Sequence, residues 1–138
     1  MRLAVDTSSF AKRYIQESGS DRLDALLQNA SELALSVILV PELFSSLNRR
    51  LREDALTAKE YREAKMQVLE DVRDATILQL TPAVVSFSVK LLENNVLRAM
   101  GALHVACAME WRADLFVTSD RGQLVAARKS GLQAEYIG

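Results

Sequence analysis

The sequence reads as an α/β protein: a single-domain α/β/α sandwich, residues 1–138, around a central, mainly parallel sheet. Three observations carry this reading. Short apolar runs recur at Leu3–Val5, Leu33–Leu35, Ala75–Leu80 and Leu115–Val117, each too short for a helix and each followed by polar or capping residues. Longer stretches between them carry helical periodicity, and strands alternating with helices in this way build a parallel sheet covered on both faces. A length of 138 residues suits one domain with a core of its own, and no internal repeat or linker divides it.

Taken in order, Leu3–Val5 is a buried strand ending at Asp6, and Asp6-Thr7-Ser8-Ser9 offers helix N-cap residues. Phe10, Ala11, Tyr14 and Ile15 give the following helix its apolar stripe, and Gly19-Ser20 breaks it before a second helix marked by Leu23, Leu26 and Leu27. After the strand Leu33–Leu35, Pro41 belongs in the first turn of a helix whose stripe is Leu43, Phe44, Leu47 and Leu51. Thr57 to Glu60 forms a capping box that opens a soluble helix running to Arg73. The run Ala75–Leu80 ends at Thr81-Pro82, and a helix over 83–93 stops near Asn94-Asn95. Residues 101–111 are almost wholly apolar, which predicts a central buried helix. Leu115–Val117 is then a strand, Thr118-Ser119-Asp120 its exit, Gln123–Lys129 a helix and Ala134–Ile137 an edge strand.

Composition narrows the function classes. The chain is 49% hydrophobic and 25% charged, with a net charge of −1, so no bulk basic field draws it to nucleic acid. Such a partner would be held by local Arg and Lys clusters or by bound metal. One cysteine excludes an internal disulfide framework and a cysteine zinc site, and no apolar run is long enough to span a membrane. The expectation is a cytoplasmic protein without a membrane partner.

The acids are the informative residues. Asp6 and Asp120 stand at the carboxyl ends of predicted parallel strands, the edge where open α/β sheets bind ligands, and Glu42 falls early in a helix on that edge. Each has a structural reading too: Asp6 as a cap, Glu42 as a charge favoured near a helix N-terminus. Together they predict carboxylates converging on one small volume, which need a compensating cation. Oxygen ligands without a His or Cys cluster favour Mg²⁺ or Mn²⁺, the equipment of phosphodiester hydrolysis. Thr118 and Ser119 are placed to steady a metal-bound water.

The segments Val5–Ser9, Pro41–Leu43, Ala102–Ala106 and Val117–Asp120 resemble, in order and spacing, the signature segments of PIN domains, in particular the VapC-type toxins of toxin–antitoxin pairs. The resemblance spans essentially the whole chain. It implies a Mg²⁺- or Mn²⁺-dependent endoribonuclease acting on RNA, a small antitoxin that covers the site, and a homodimer. Carried over position by position, it makes Asp6, Glu42 and Asp120 the metal-binding and catalytic acids. The pattern departs at Gly101, where the family usually has an Asp before Ala-Leu-His. The site then loses a formal charge and up to two ligand oxygens, so activity is expected to be weakened or absent, while glycine at a helix start leaves the fold intact. Natural degeneration, an inactivating substitution, or compensation by Glu93 or Asp114 would each account for it.

Other residues are weighed individually. His104 reads first as a core imidazole anchored by one hydrogen bond, and Cys107 as a small buried hydrophobe. Trp111, Met100 and Met109 are core or dimer-contact candidates. Lys12 and Arg98 flank the acids in sequence and are the first candidates for holding RNA phosphates, with Arg13, Arg49, Arg50 and Arg52 behind them. The alternative to a nuclease is a catalytically degenerate PIN-like module that binds RNA or an antitoxin without cleaving. A phospho-receiver domain is disfavoured, because it needs paired acids after the first strand and a lysine near the last.

Overall fold

A computed structural model describes residues 1–138. The five strands, β1 (Arg2–Val5), β2 (Glu32–Ser36), β3 (Thr76–Leu78), β4 (Leu115–Thr118) and β5 (Ala134–Tyr136), form one sheet in the order β3-β2-β1-β4-β5. Every pairing is parallel. The expected α/β/α sandwich is the observed fold. The chain runs outward from β1 through β2 to β3, then crosses back to place β4 on the other flank of β1. The strand order therefore reverses beside β1, and a crevice opens there at the carboxyl ends of β1 and β4.

The period of two along each strand divides the core between the two faces. Leu3, Val5, Leu35 and Val117 pack on one face with Phe10, with Leu23 and Leu26 of α2 (Ser20–Asn29), with Leu39, Leu43 and Leu47 of α3 (Leu39–Arg52), and with Val68 of α4 (Ala58–Asp74). Ala4 and Phe116 point to the other face, against α5 (Pro82–Asn94), α6 (Ala99–Trp111) and α7 (Arg121–Lys129). The small side chains Ala102, Ala106 and Ala108 let α6 lie deep in this layer, where most of it is buried as its apolar sequence predicts. The capping box at Thr57 and Glu60 closes as expected.

Two boundaries differ from the sequence reading. The first helix, α1 (Thr7–Phe10), does not continue to Ile15; it tightens into a 3-10 turn over Ala11–Arg13. The hydroxyl of Ser20 donates to the Lys12 and Ile15 carbonyls, and Gly19, at φ +93°, reverses the chain there. At the other end of the fold, α7 begins at Arg121 because Asp120 is its N-cap.

Candidate functional site

The cavity at the carboxyl edge of the sheet measures about 890 Å³, and Asp6, Glu42 and Asp120 all line it. The three acids from distant parts of the sequence therefore share one wall, though not the small volume expected of them. No three His, Cys, Asp or Glu side chains stand close enough together to hold a metal ion by themselves. A cation between these acids would keep much of its water, as Mg²⁺ commonly does.

Asp6 follows β1 and is only 1% exposed. Its Oδ1 accepts the Ser9 N–H at 3.0 Å, capping α1, and its Oδ2 accepts the hydroxyls of Ser8 at 2.7 Å and Thr118 at 2.8 Å. Burial pushes the Asp6 carboxyl above the ordinary aspartate range; these hydrogen bonds and the nearby His104 offset only part of that. Thr118, at 0% exposure, also accepts the Asp120 N–H at 3.0 Å, so one hydroxyl ties the end of β1 to the backbone of the second acid. The Thr118 proton is committed to Asp6, and the Ser119 hydroxyl pairs with that of Ser9 at 2.9 Å, so both hydroxyls hold protein groups in place.

Glu42 lies in the first turn of α3 and forms a compact trio with Thr7 and His104. The Thr7 hydroxyl donates to Glu42 Oε1 at 2.7 Å, and His104 Nε2 stands 2.6 Å from the same oxygen and 3.0 Å from Thr7 Oγ1. Partial burial raises the Glu42 carboxyl, but the His104 and Thr7 hydrogen bonds outweigh it and hold the group below the ordinary glutamate range. An ionised carboxylate only accepts, so His104 Nε2 carries the hydrogen. His104 is the buried, anchored imidazole the sequence suggested, and its anchor is a site acid. Both bonds fall on Oε1, which leaves Glu42 Oε2 without a protein donor.

Asp120 is exposed and uses Oδ1 to cap α7 through the Gln123 N–H at 3.0 Å, leaving Oδ2 without a protein donor. Gly101 is buried in the opening turn of α6, on the cavity wall. Neither candidate for compensating it is there. Asp114 accepts the Arg2 N–H at 2.7 Å at the opposite end of β4, and Glu93 is an exposed residue of α5. Gln123 occupies the space beside Gly101 instead.

Arg98 and Arg49 line the cavity, as two of the phosphate-contact candidates should. Lys12 does not, and its assignment is corrected: it is 8% exposed, and its ammonium is tied to Glu17 at 3.1 Å and the Ser18 carbonyl at 2.7 Å. Arg13 is bound in a two-bond fork to Asp71 at 2.7 and 3.2 Å, away from the cavity. Sequence reasoning placed Thr7 and Ser8 in a helix start and in the Val5–Ser9 segment without giving either a role of its own, and passed over Gln123. The available signal was a run of three hydroxyls directly after a strand-end acid.

Three comparisons bear on this geometry. The PIN domain family profile matches residues 3–129. No curated protein matches. Among solved structures the chain is similar to VapBC2 from Rickettsia felis bound to a DNA fragment from their promoter (15% identity, TM-score 0.69, 100% of each chain covered). It is likewise similar to FitAcB from Neisseria gonorrhoeae (15% identity, TM-score 0.71, 96% of this chain and 95% of that one). A third is VapC20 from Mycobacterium tuberculosis, described as a sarcin-ricin loop cleaving toxin (15% identity, TM-score 0.69, 94% and 95% covered). The likeness to these structures is one of fold, and the match over nearly the whole chain establishes that the protein belongs to the PIN domain family.

Proposed function

We propose that the protein is a metal-dependent endoribonuclease of the VapC toxin type, with activity lowered by Gly101. The observation that carries the reading is the junction of β1 and β4, where the Thr118 hydroxyl links Asp6 to the Asp120 backbone on the wall that Glu42 also lines. The oxygen donors suit a hard cation: Asp6, the open oxygens of Glu42 and Asp120, and a buried amide oxygen of Gln123 that has no protein partner. Mg²⁺ or Mn²⁺ bound there would supply phosphate polarisation, an acidified water and stabilisation of the leaving oxygen. Asp120 and Asp6 would hold it, with Glu42 kept ionised and oriented by Thr7 and His104. Arg98 and Arg49, neither engaged by a protein carboxylate, would position RNA phosphates on the rim.

An antitoxin partner is part of this reading, supported by a toxin–antitoxin complex from Klebsiella pneumoniae and a member of the VapBC family of toxin–antitoxin systems from Mycobacterium tuberculosis among the similar structures. So are a homodimer and a cytoplasmic location. Exposed Val85, Val89 and Leu92 form an apolar stripe at i, i+4 and i+7 on α5 that a second copy could cover. No helix is long and apolar enough to cross a membrane.

The test is RNA cleavage with Mn²⁺ by the parent, by Gly101→Asp and by Asp6→Asn. We expect slow cleavage by the parent, at least tenfold faster cleavage by Gly101→Asp, and none by Asp6→Asn. A Cβ at 101 meets only side-chain atoms of Gln123 and Leu97, at 3.2 Å, so a small shift admits the aspartate. Cleavage only after Gly101→Asp would establish the second reading, a non-cleaving binding module on an intact scaffold. Cleavage that survives Asp6→Asn would sink the assignment of the site.

A further inference from the structure

We infer that Gln123 supplies the oxygen that position 101 withholds: its side-chain amide fills the space beside Gly101 and offers Oε1 to a hydrated divalent cation held with Asp120 and Asp6. The inference rests on the metal-dependent reading of the cavity.

The placement is specific. Gln123 stands in the first turn of α7, its backbone N–H bound to Asp120 Oδ1 at 3.0 Å, so its position is coupled to a site acid. A Cβ added to Gly101 would lie 3.2 Å from Gln123 Cγ and 3.3 Å from Nε2. The glutamine stem therefore occupies the volume into which a side chain at 101 would begin. The two positions compete for space: a larger residue at 101 must shift the glutamine by a few tenths of an ångström. Gln123 and Gly101 both line the cavity.

The glutamine is also unsatisfied. It is 6% exposed, yet Oε1 is one of two buried side-chain polar atoms in the protein without a hydrogen-bond partner. Buried amide oxygens are rarely left so, because they lose their hydration and gain nothing in return. Its helix neighbours Leu124, Ala126 and Ala127 are buried and apolar, and offer no side-chain donor. What would satisfy Oε1 is a donor from the cavity, either a cation-bound water or the cation itself. Amide oxygens are ordinary ligands of hard divalent ions. The terminal amide torsion is broad, so Oε1 can turn toward the cavity without moving Cγ.

A neutral oxygen differs from a carboxylate in consequence. It contributes a ligand without a charge, so it adds no repulsion to Asp6, Glu42 and Asp120 in the metal-free protein, and it binds the cation less tightly than a carboxylate would. Gly101 and Gln123 then form one exchangeable unit.

The test is Mn²⁺ titration of the metal-free protein by calorimetry, with thermal unfolding of each metal-free form alongside. The variants are Gln123→Met, Gln123→Glu, Gly101→Asp and the double variant Gly101→Asp with Gln123→Met. Gln123→Met should bind Mn²⁺ about tenfold more weakly than the parent, with an unchanged or higher Tm because the orphaned amide is gone. Gln123→Glu should bind more tightly than the parent, which separates a ligand role from a folding defect should the methionine variant unfold early. In the Gly101→Asp background, Gln123→Met should shift affinity by less than about twofold, the carboxylate having taken over. Equal affinity of parent, Gln123→Met and Gln123→Glu would overturn the inference and leave the metal-dependent reading standing. Binding by Gly101→Asp but not by the parent would also overturn it, since the glutamine would not be compensating. Absence of Mn²⁺ binding in every form would overturn both.

Discussion

Two carboxylates, Asp71 and Asp6, each gather several donors and end in opposite electrostatic states. Asp71 on α4 accepts a two-bond fork from Arg13, the Tyr14 hydroxyl at 2.6 Å and the Gln67 amide at 2.9 Å. Burial would raise its carboxyl, but the guanidinium and the other donors overcome it and hold the group below the ordinary range. The same contact keeps the Tyr14 hydroxyl protonated, since burial and the adjacent carboxylate both push its titration upward. Asp6 accepts three hydrogen bonds to the four on Asp71, from two hydroxyls and a backbone amide, with no cation bonded to it, and it lies deeper. Its carboxyl is pushed up. One acid is neutralised within the protein and ties α4 to the turn after α1. The other is held in place with its burial uncompensated by any bonded cation.

The largest expected effect breaks the satisfied side. Asp71→Ala strands the Arg13 guanidinium and the part-buried Tyr14 hydroxyl, and should cost about 2–4 kcal/mol in urea unfolding at pH 7. Asp71 titrates lower folded than unfolded, so its contribution is full above about pH 4 and is lost as pH falls through the folded value. The gap between parent and variant should narrow in acid.

Next comes the opposite sign at the site. In the metal-free protein, Asp6→Asn should stabilise by about 1–2 kcal/mol, since the amide keeps the cap oxygen and removes a buried charge. That gain outweighs turning the Ser8 and Thr118 hydroxyls from donating to accepting. Asp6 titrates higher folded than unfolded, so its ionisation costs stability as pH rises beyond about 4. The advantage of Asp6→Asn should grow as pH rises through the folded value and vanish below about pH 4. A destabilised Asp6→Asn at pH 7 would mean that the charge itself holds the fold, and the contrast with Asp71 would fail.

Smaller still, Thr7→Val removes one of two donors on Glu42 Oε1. It should raise the Glu42 carboxyl toward its ordinary range in an NMR titration and cost about 1 kcal/mol or less. The smallest stability effect belongs to the arginines. Arg13 is locked on Asp71, whereas Arg98 faces the cavity unpaired, so Arg98→Ala should change stability by less than about 0.5 kcal/mol. It should instead flatten the salt dependence of RNA binding by about one unit of slope.

What the sequence could determine was local. Short apolar runs and capped helices specify strands and helices wherever burial dominates, and here they specified the alternation of a parallel sheet. A strand-end acid is legible for the same reason: the chain must leave the sheet there, and Asp6 and Asp120 mark those exits. Contacts between elements were not legible, because no local pattern encodes them. The Glu42–His104 pair spans 62 residues and depends on how α3 and α6 meet over the sheet. Lys12 looked like a rim cation until a 3-10 turn aimed it inward at Glu17 and the Ser18 carbonyl. Gln123 was one polar residue on an ordinary helix until α7 docked beside the start of α6. Only that packing put its amide next to Gly101, where the absence of a Cβ left room for it.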